Sequence, residues 1–150
     1  MPYEFLLNNL PKTKKAIGVD KGLAKIGDGI VNLTYSVAKS MYLTKNHNSN
    51  KAIRTGQKVS KAILAAALKN ANMKEFAKNR ANAHDFANTV EAVIAYAWLN
   101  NTISIKQLID TLFTNLSGNV IGRFEEIENA AFAFTQVLLT IKSSLPEKPL

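Results

Sequence analysis

Apolar residues recur every three or four positions along most of this 150-residue chain, and nowhere do they alternate with polar ones for more than a few residues. A period near 3.6 lines such residues up on one stripe of a helix, whereas a half-buried strand needs a period of two. The pattern therefore predicts an all-α chain. The stretch around which the rest is organised is Leu23-Ala24-Lys25-Ile26-Gly27-Asp28-Gly29-Ile30-Val31-Asn32, the opening of a helix predicted from about Gly22 to Leu43. At the helical repeat Leu23, Ile26, Ile30, Leu33, Val37 and Met41 share one stripe, read as the main apolar contact. Asp28 lies opposite it with Asn32, Tyr35 and Lys39. Gly27 and Gly29 flank Asp28, and each costs roughly 0.5–1 kcal/mol against alanine inside a helix, so a second helix or a substrate backbone is expected to approach closely there.

The remaining segments follow in order. Residues 1–20 predict a short helix near Glu4–Asn9, closed by Pro11 and followed by a basic loop through Gly18. Residues 45–51 are polar and asparagine-rich, which predicts a surface loop that could lie along a substrate; His47 within it is read as solvated. Helical spacing resumes at Lys58 with Val59, Ala62, Ile63, Ala66 and Leu68, and Met73–Arg80 reads as a short amphipathic helix. A strong helix is predicted from about His84 to Asn100, with Phe86, Val90, Val93, Ile94 and Ala97 as its core face. A second stripe carries His84, Asn88, Glu91 and Ala95. Glu91 stands in the apolar run Thr89–Leu99, where a carboxylate normally needs a partner or a metal.

The last third reads as a helical hairpin over 104–145. Ser104 would cap its first helix, 117–119 would form the turn, and the second helix would run from Arg123 to about Ser144. A 3-4 repeat through Phe124, Ile127, Ala131, Phe134, Leu138, Ile141 and Leu145 would pack on the chain's own core or on a second chain, the first being the commoner outcome. Residues 146–150 are expected to fray. No internal repeat is visible, and residues 1–150 are expected to form a single domain.

Charge narrows the partner. Residues 1–80 hold 15 Lys/Arg against 4 Asp/Glu, a net of +11, while residues 81–150 hold 4 against 7, a net of −3, together the +8 of the whole chain. A basic half favours a polyanion, and nucleic acid before a membrane, because no segment combines a basic amphipathic face with aromatic anchors. There are no cysteines, so disulfides and thiolate metal sites are excluded. No apolar run could span a bilayer and none resembles a signal peptide, so a soluble cytoplasmic protein is expected. A glycine-rich phosphate loop, a dinucleotide fingerprint and the strand-turn-helix elbow of a serine hydrolase are all absent, so no nucleotide cofactor is expected, and two histidines make no histidine-rich metal site.

Asp28 and Glu91 thus remain as the carboxylates on apolar helices. Ile26-Gly27-Asp28-Gly29-Ile30-Val31 resembles the second half of the ribonuclease III signature, with Asp28 at its aspartate, while Lys21 and Ala24 stand where that family has glutamates. Thr89-Val90-Glu91-Ala92-Val93-Ile94-Ala95-Tyr96 resembles the family's second catalytic segment, with Glu91 at its glutamate and Asn88 in place of its aspartate. Lys58-Val59-Ser60-Lys61-Ala62 and Asn79-Arg80-Ala81-Asn82-Ala83 resemble segments of the mini-ribonuclease III branch, whose members share the non-acidic residues at the positions of Ala24 and Asn88; an archaeal branch is closer still. The resemblance covers about residues 20–100. It implies an all-helical catalytic domain acting as a homodimer on double-stranded RNA, with no double-stranded RNA-binding domain, since no residues remain to build one. It further implies a metal site, for Mg²⁺ or alternatively Mn²⁺, at Asp28 and Glu91, supported by Asn88, His84 and Ser60. Lys25, Lys39, Lys51, Arg54, Lys58 and Lys61 are the candidate RNA contacts. A catalytically silent RNA-binding member of the same fold and a basic helical scaffold are the alternatives.

Overall fold

The computed structural model describes residues 3–47 and 50–150, and every regular element among them is helical. Six α-helices follow in order: α1 Lys14–Gly18, α2 Lys21–Lys45, α3 Lys61–Asn70, α4 Ala83–Leu99, α5 Ile105–Asn115 and α6 Arg123–Lys142, with 3-10 turns at Glu4–Leu7 and Lys74–Phe76. Helix α4 is the axis. Val90, Ala92, Val93, Ile94, Ala95 and Ala97 are all completely buried, because α1, α2 and α3 pack around α4 and α6 closes over α3 and α5. Its four alanines between residues 87 and 97 leave a smooth surface on which neighbours can come close.

Helix starts sit where a side chain satisfies an otherwise orphaned amide. Asp20 accepts from the Leu23 amide at 2.9 Å to begin α2, and Ser60 accepts from Ile63 at 3.3 Å to begin α3. Asn82 and Asp85 form a reciprocal capping box on α4, and Ser104, the expected cap, forms another with Gln107 on α5.

The structure reassigns the faces of α2. Leu23 and Ile30 are buried, but Ile26, Leu33, Val37 and Met41 are 36, 54, 36 and 38% exposed. The buried face instead runs through Gly27, Val31, Thr34, Tyr35 and Ala38, and Lys39 is buried with it. Gly27 lets the backbones of α2 and α4 approach, while Tyr35, fully buried on the same side, reaches Glu126 and Phe134 of α6. At Gly27 a Cβ would overlap the backbone carbonyl of Glu91, whereas around Gly29 nothing lies within 4 Å. The expected close approach is thus met at the first glycine by α4 and at the second by nothing among the described residues.

Between α2 and α3 the chain doubles back along α2 as a strap. Asn32, Ser36, Ser40 and Thr44, four residues apart on the helix, accept from the backbone amides of Val59, Gln57, Thr55 and Ile53 at 2.8, 3.0, 2.9 and 2.8 Å. Three of them also donate back, to the carbonyls of Gln57, Thr55 and Ile53 at 3.4, 3.0 and 3.2 Å. Bonding at every second residue, with exposure alternating from 53 to 60, marks an extended segment.

Three further expectations change, and a fourth is met. The basic loop before Gly18 is partly helical, because Thr13 accepts from the Ala16 amide and starts α1. Met73–Arg80 forms only the Lys74–Phe76 turn, bracketed by left-handed Asn72 and Arg80 at φ 58° and 57°, where an α-helix cannot run. The tail does not fray: the carbonyls of Lys148 and Pro149 accept from the Lys14 and Lys15 amides at 2.9 and 3.2 Å, satisfying the open first turn of α1. The 3-4 repeat of α6 packs inside the chain through Ala131, Phe134, Leu138, Ile141 and Leu145, while Phe124 is 79% exposed. Of the predicted surface loop 45–51, Lys45 ends α2, His47 is exposed as expected, and Asn48 and Ser49 lie outside the described residues.

Candidate active site

Gly27 fixes the site. Because its missing side chain lets α2 lie directly against the backbone of Glu91, the next residue, Asp28, is carried to the Glu91 carboxyl. Asp28 is pinned twice more: its Oδ1 accepts from Asn32 Nδ2 at 3.2 Å and from Lys58 Nζ at 3.4 Å. Asn32 can donate in that direction only, since its own Oδ1 accepts the Val59 amide at 2.8 Å as the first rung of the strap. The strap therefore delivers Lys58 and orients Asn32 together.

The two carboxyl groups are not equivalent. Glu91, 9% exposed, is pushed up to about 8, first by burial and then by the hydrogen bond and negative charge of Asp28. Asp28 is held below the usual carboxylate range, first by its hydrogen bond with Glu91 and then by Lys58 and Asn32. At neutral pH the pair shares one proton, with Glu91 donating it to an anionic Asp28.

Both groups line one open cavity of about 450 Å³. Lys21 and Lys25 form one wall from α2, and Lys58 and Lys61 another from the end of the strap and the start of α3. Asn88 and His84, one and two turns before Glu91, complete the rim. Four lysines thus line the cavity that holds the two carboxyl groups, and Lys58 and Lys61 are the ones whose charges reach Glu91. Among the described residues Lys21 and Lys25 have no ion pair that would withdraw them.

Seven of the residues singled out in the sequence meet here: Asp28, Glu91, Asn88, His84, Lys25, Lys58 and Lys61. Ser60 instead caps α3. Lys39 is removed from the RNA-contact set: it is buried on α2, paired with Glu126 of α6 at 2.7 Å and with Gln57. Tyr35 donates to the same Glu126 oxygen at 2.7 Å, so the lysine belongs to an internal network. Lys51 and Arg54 are exposed on the strap away from the cavity. Lys21 was missed, although its spacing of four to Lys25 and seven to Asp28 places all three on one helix face.

A divalent cation can be weighed against these donors. Among the described residues no group of three or more His, Asp or Glu side chains is placed to hold a metal. Mg²⁺ commonly takes only one or two protein carboxylates and fills its other positions with water and substrate phosphate. Asp28 and Glu91, once Glu91 has lost its proton, fit one such ion.

A family model for ribonuclease III matches residues 21–146, from the start of α2 to beyond α6, and so takes in every residue that lines the cavity together with the C-terminal hairpin. No curated protein matches the chain.

Proposed function

The chain belongs to the ribonuclease III family, and from that premise we propose that it is a metal-dependent endoribonuclease that hydrolyses phosphodiester bonds of double-stranded RNA, working as a homodimer with one site per protomer. The observation that carries this reading is the meeting of Asp28 and Glu91 on the floor of a cavity walled by four lysines. Carboxylates alone would repel a phosphodiester; lysine walls draw the backbone in and orient it over them. Asp28 and Glu91 would hold the cation, Mg²⁺ or Mn²⁺, which supplies Lewis acidity toward water and phosphate when bound. Asp28 stays anionic through Asn32 and Lys58, while Glu91 must release its proton before it can ligate. Asn88 can orient a water with its amide but adds no charge. RNA contact beyond the cavity falls to Arg54 and Lys51 on the strap.

The dimer rests on the exposed face of α2. Leu23, Ile30 and Gly27 are already used inside the protomer, so the proposed seam consists of Ile26, Gly29, Leu33, Val37 and Met41. Gly29, with open space where a Cβ would stand, allows a two-fold-related helix to come near. Residues 1–150 act as one catalytic unit in this proposal. Among the described residues no helix is long and apolar enough to cross a membrane.

Long duplex RNA incubated with and without Mg²⁺ tests the reading. Cleavage should require the ion and should disappear in Asp28→Asn and Glu91→Gln, which keep side-chain size while removing charge. A parent that binds duplex but never cuts it is instead the silent binding module, a reading favoured by the excess of lysine over carboxylate in the cavity.

A further inference from the structure

The cavity is charged the wrong way for a site that waits for cations. Asp28 and Glu91 can contribute at most two negative charges, and Lys21, Lys25, Lys58 and Lys61 line the same cavity with four positive ones. Among the described residues, only Lys58 of these four is spent on an ion pair, the 3.4 Å pair with Asp28. Lys21 is the first residue of α2, one turn before Lys25 and two before Asp28, and it lines both this cavity and the smaller one that continues behind Ala24 and Asn88. An unpaired ammonium on the wall of a carboxylate site repels a free divalent ion and attracts a phosphate.

We propose that Lys21 holds the RNA phosphate at the carboxyl pair, and that it does so in the absence of any divalent ion. Lys25, on the same helix face, backs it from the cavity mouth. The order of assembly follows: phosphate enters first, bringing the negative charge that the cavity lacks, and the cation is admitted afterwards. This inference rests on duplex RNA being the ligand of the site, though not on its being cut.

Equilibrium binding of a short RNA duplex, measured by fluorescence anisotropy in EDTA over a range of salt, tests it. The parent should bind without metal. Lys21→Gln should weaken that binding several-fold and lower the slope of log affinity against log salt by about one, the loss of one phosphate contact. Lys21→Arg should retain most of the affinity, and Lys106→Gln, whose lysine pairs with Asp110 on α5, should match the parent. In the free protein, Lys21→Glu should bind Mn²⁺ more tightly by electron paramagnetic resonance, because the cavity loses two units of positive charge. Parent-like affinity and slope in Lys21→Gln, or unchanged Mn²⁺ binding in Lys21→Glu, overturns the assignment. Cleavage that persists alongside either result leaves the nuclease reading standing, while Lys21-dependent binding without cleavage overturns only the nuclease.

Discussion

The two faces of α2 differ in composition, and their fates are the reverse of what hydrophobicity alone suggests. One carries Gly27, Val31, Thr34, Tyr35 and Ala38 and lies against the centre of the molecule. The other carries Ile26, Leu33, Val37 and Met41, larger and more uniformly apolar, and faces out. The close approach at Gly27 sets the contact: with α2 held against the Glu91 backbone there, Val31, Thr34, Tyr35 and Ala38 follow it inward at the helical repeat. The bulky apolar residues left outward in a regular stripe form the surface on which the proposed dimer rests.

The largest effect that could break this comparison is at Gly27. Gly27→Ala drives a Cβ into the Glu91 backbone, which cannot move without shifting α4, so a loss on the order of 3 kcal/mol is expected, at the upper end of overpacking costs. Gly29→Ala, with open space around it, should change the stability of the protomer by no more than about 1 kcal/mol. Thermal unfolding of both variants at one protein concentration decides. Equal losses would mean that the two faces do not differ in packing.

Leu33→Glu combined with Val37→Glu should convert a dimer into a monomer by light scattering and leave far-ultraviolet circular dichroism unchanged. An unfolded double variant would show that this face is internal after all. A parent already monomeric at micromolar concentration would leave the outer face without the proposed partner.

The pH dependence sharpens the inner face. Glu91 keeps its proton up to about 8 in the folded chain but releases it near the ordinary value of 4.5 when unfolded. The folded state therefore binds more protons across that window, and metal-free stability should fall as pH rises from about 5 to 8. Glu91→Gln should flatten that slope. Cleavage at fixed Mg²⁺ should rise over the same interval, since ligation requires the deprotonated carboxylate. A flat stability profile in the parent would place Glu91 in water.

The smallest expected effect lies on the strap. Ser40→Ala removes one acceptor and one donor of a single rung, at about 1 kcal/mol given that water can reach the freed groups. Denaturant unfolding would register it, and a change below experimental error would show that the rung is replaced by solvent.

Much of this architecture is legible along the chain, and the unread part has a common cause. Helix periodicity and the cap at Ser104 are local properties, so most segments can be read from neighbouring residues. Glu91 was conspicuous because it interrupts an apolar run. Which face of α2 packs inward was not legible, because hydrophobic spacing reports amphipathicity without naming the partner. Lys39 looked like any surface lysine; its partner Glu126 lies 87 residues away, and only the tertiary fold brings them together. The same holds for the docked tail, whose carbonyls find the first turn of α1 from the other end of the chain. Lys21 was within reach of helical arithmetic, since Lys21, Lys25 and Asp28 share a face.

The strap along α2 implies a grammar of insertions and deletions for this segment. Four residues of helix advance about 6 Å, and two residues of extended chain about 6.6 Å, so the helix counts in fours and the strap in twos. Lys58 falls between the rungs at Gln57 and Val59, and its even parity turns it toward Asp28. Removing one residue between 53 and 59 would hand each side chain the role of its neighbour and rotate the lysine out of the cavity. Removing two would restore the phase and merely shorten the ladder by a rung. Length variation here should therefore come in pairs, a constraint imposed by hydroxyl and amide side chains on a helix that do the work ordinarily done by the edge of a sheet.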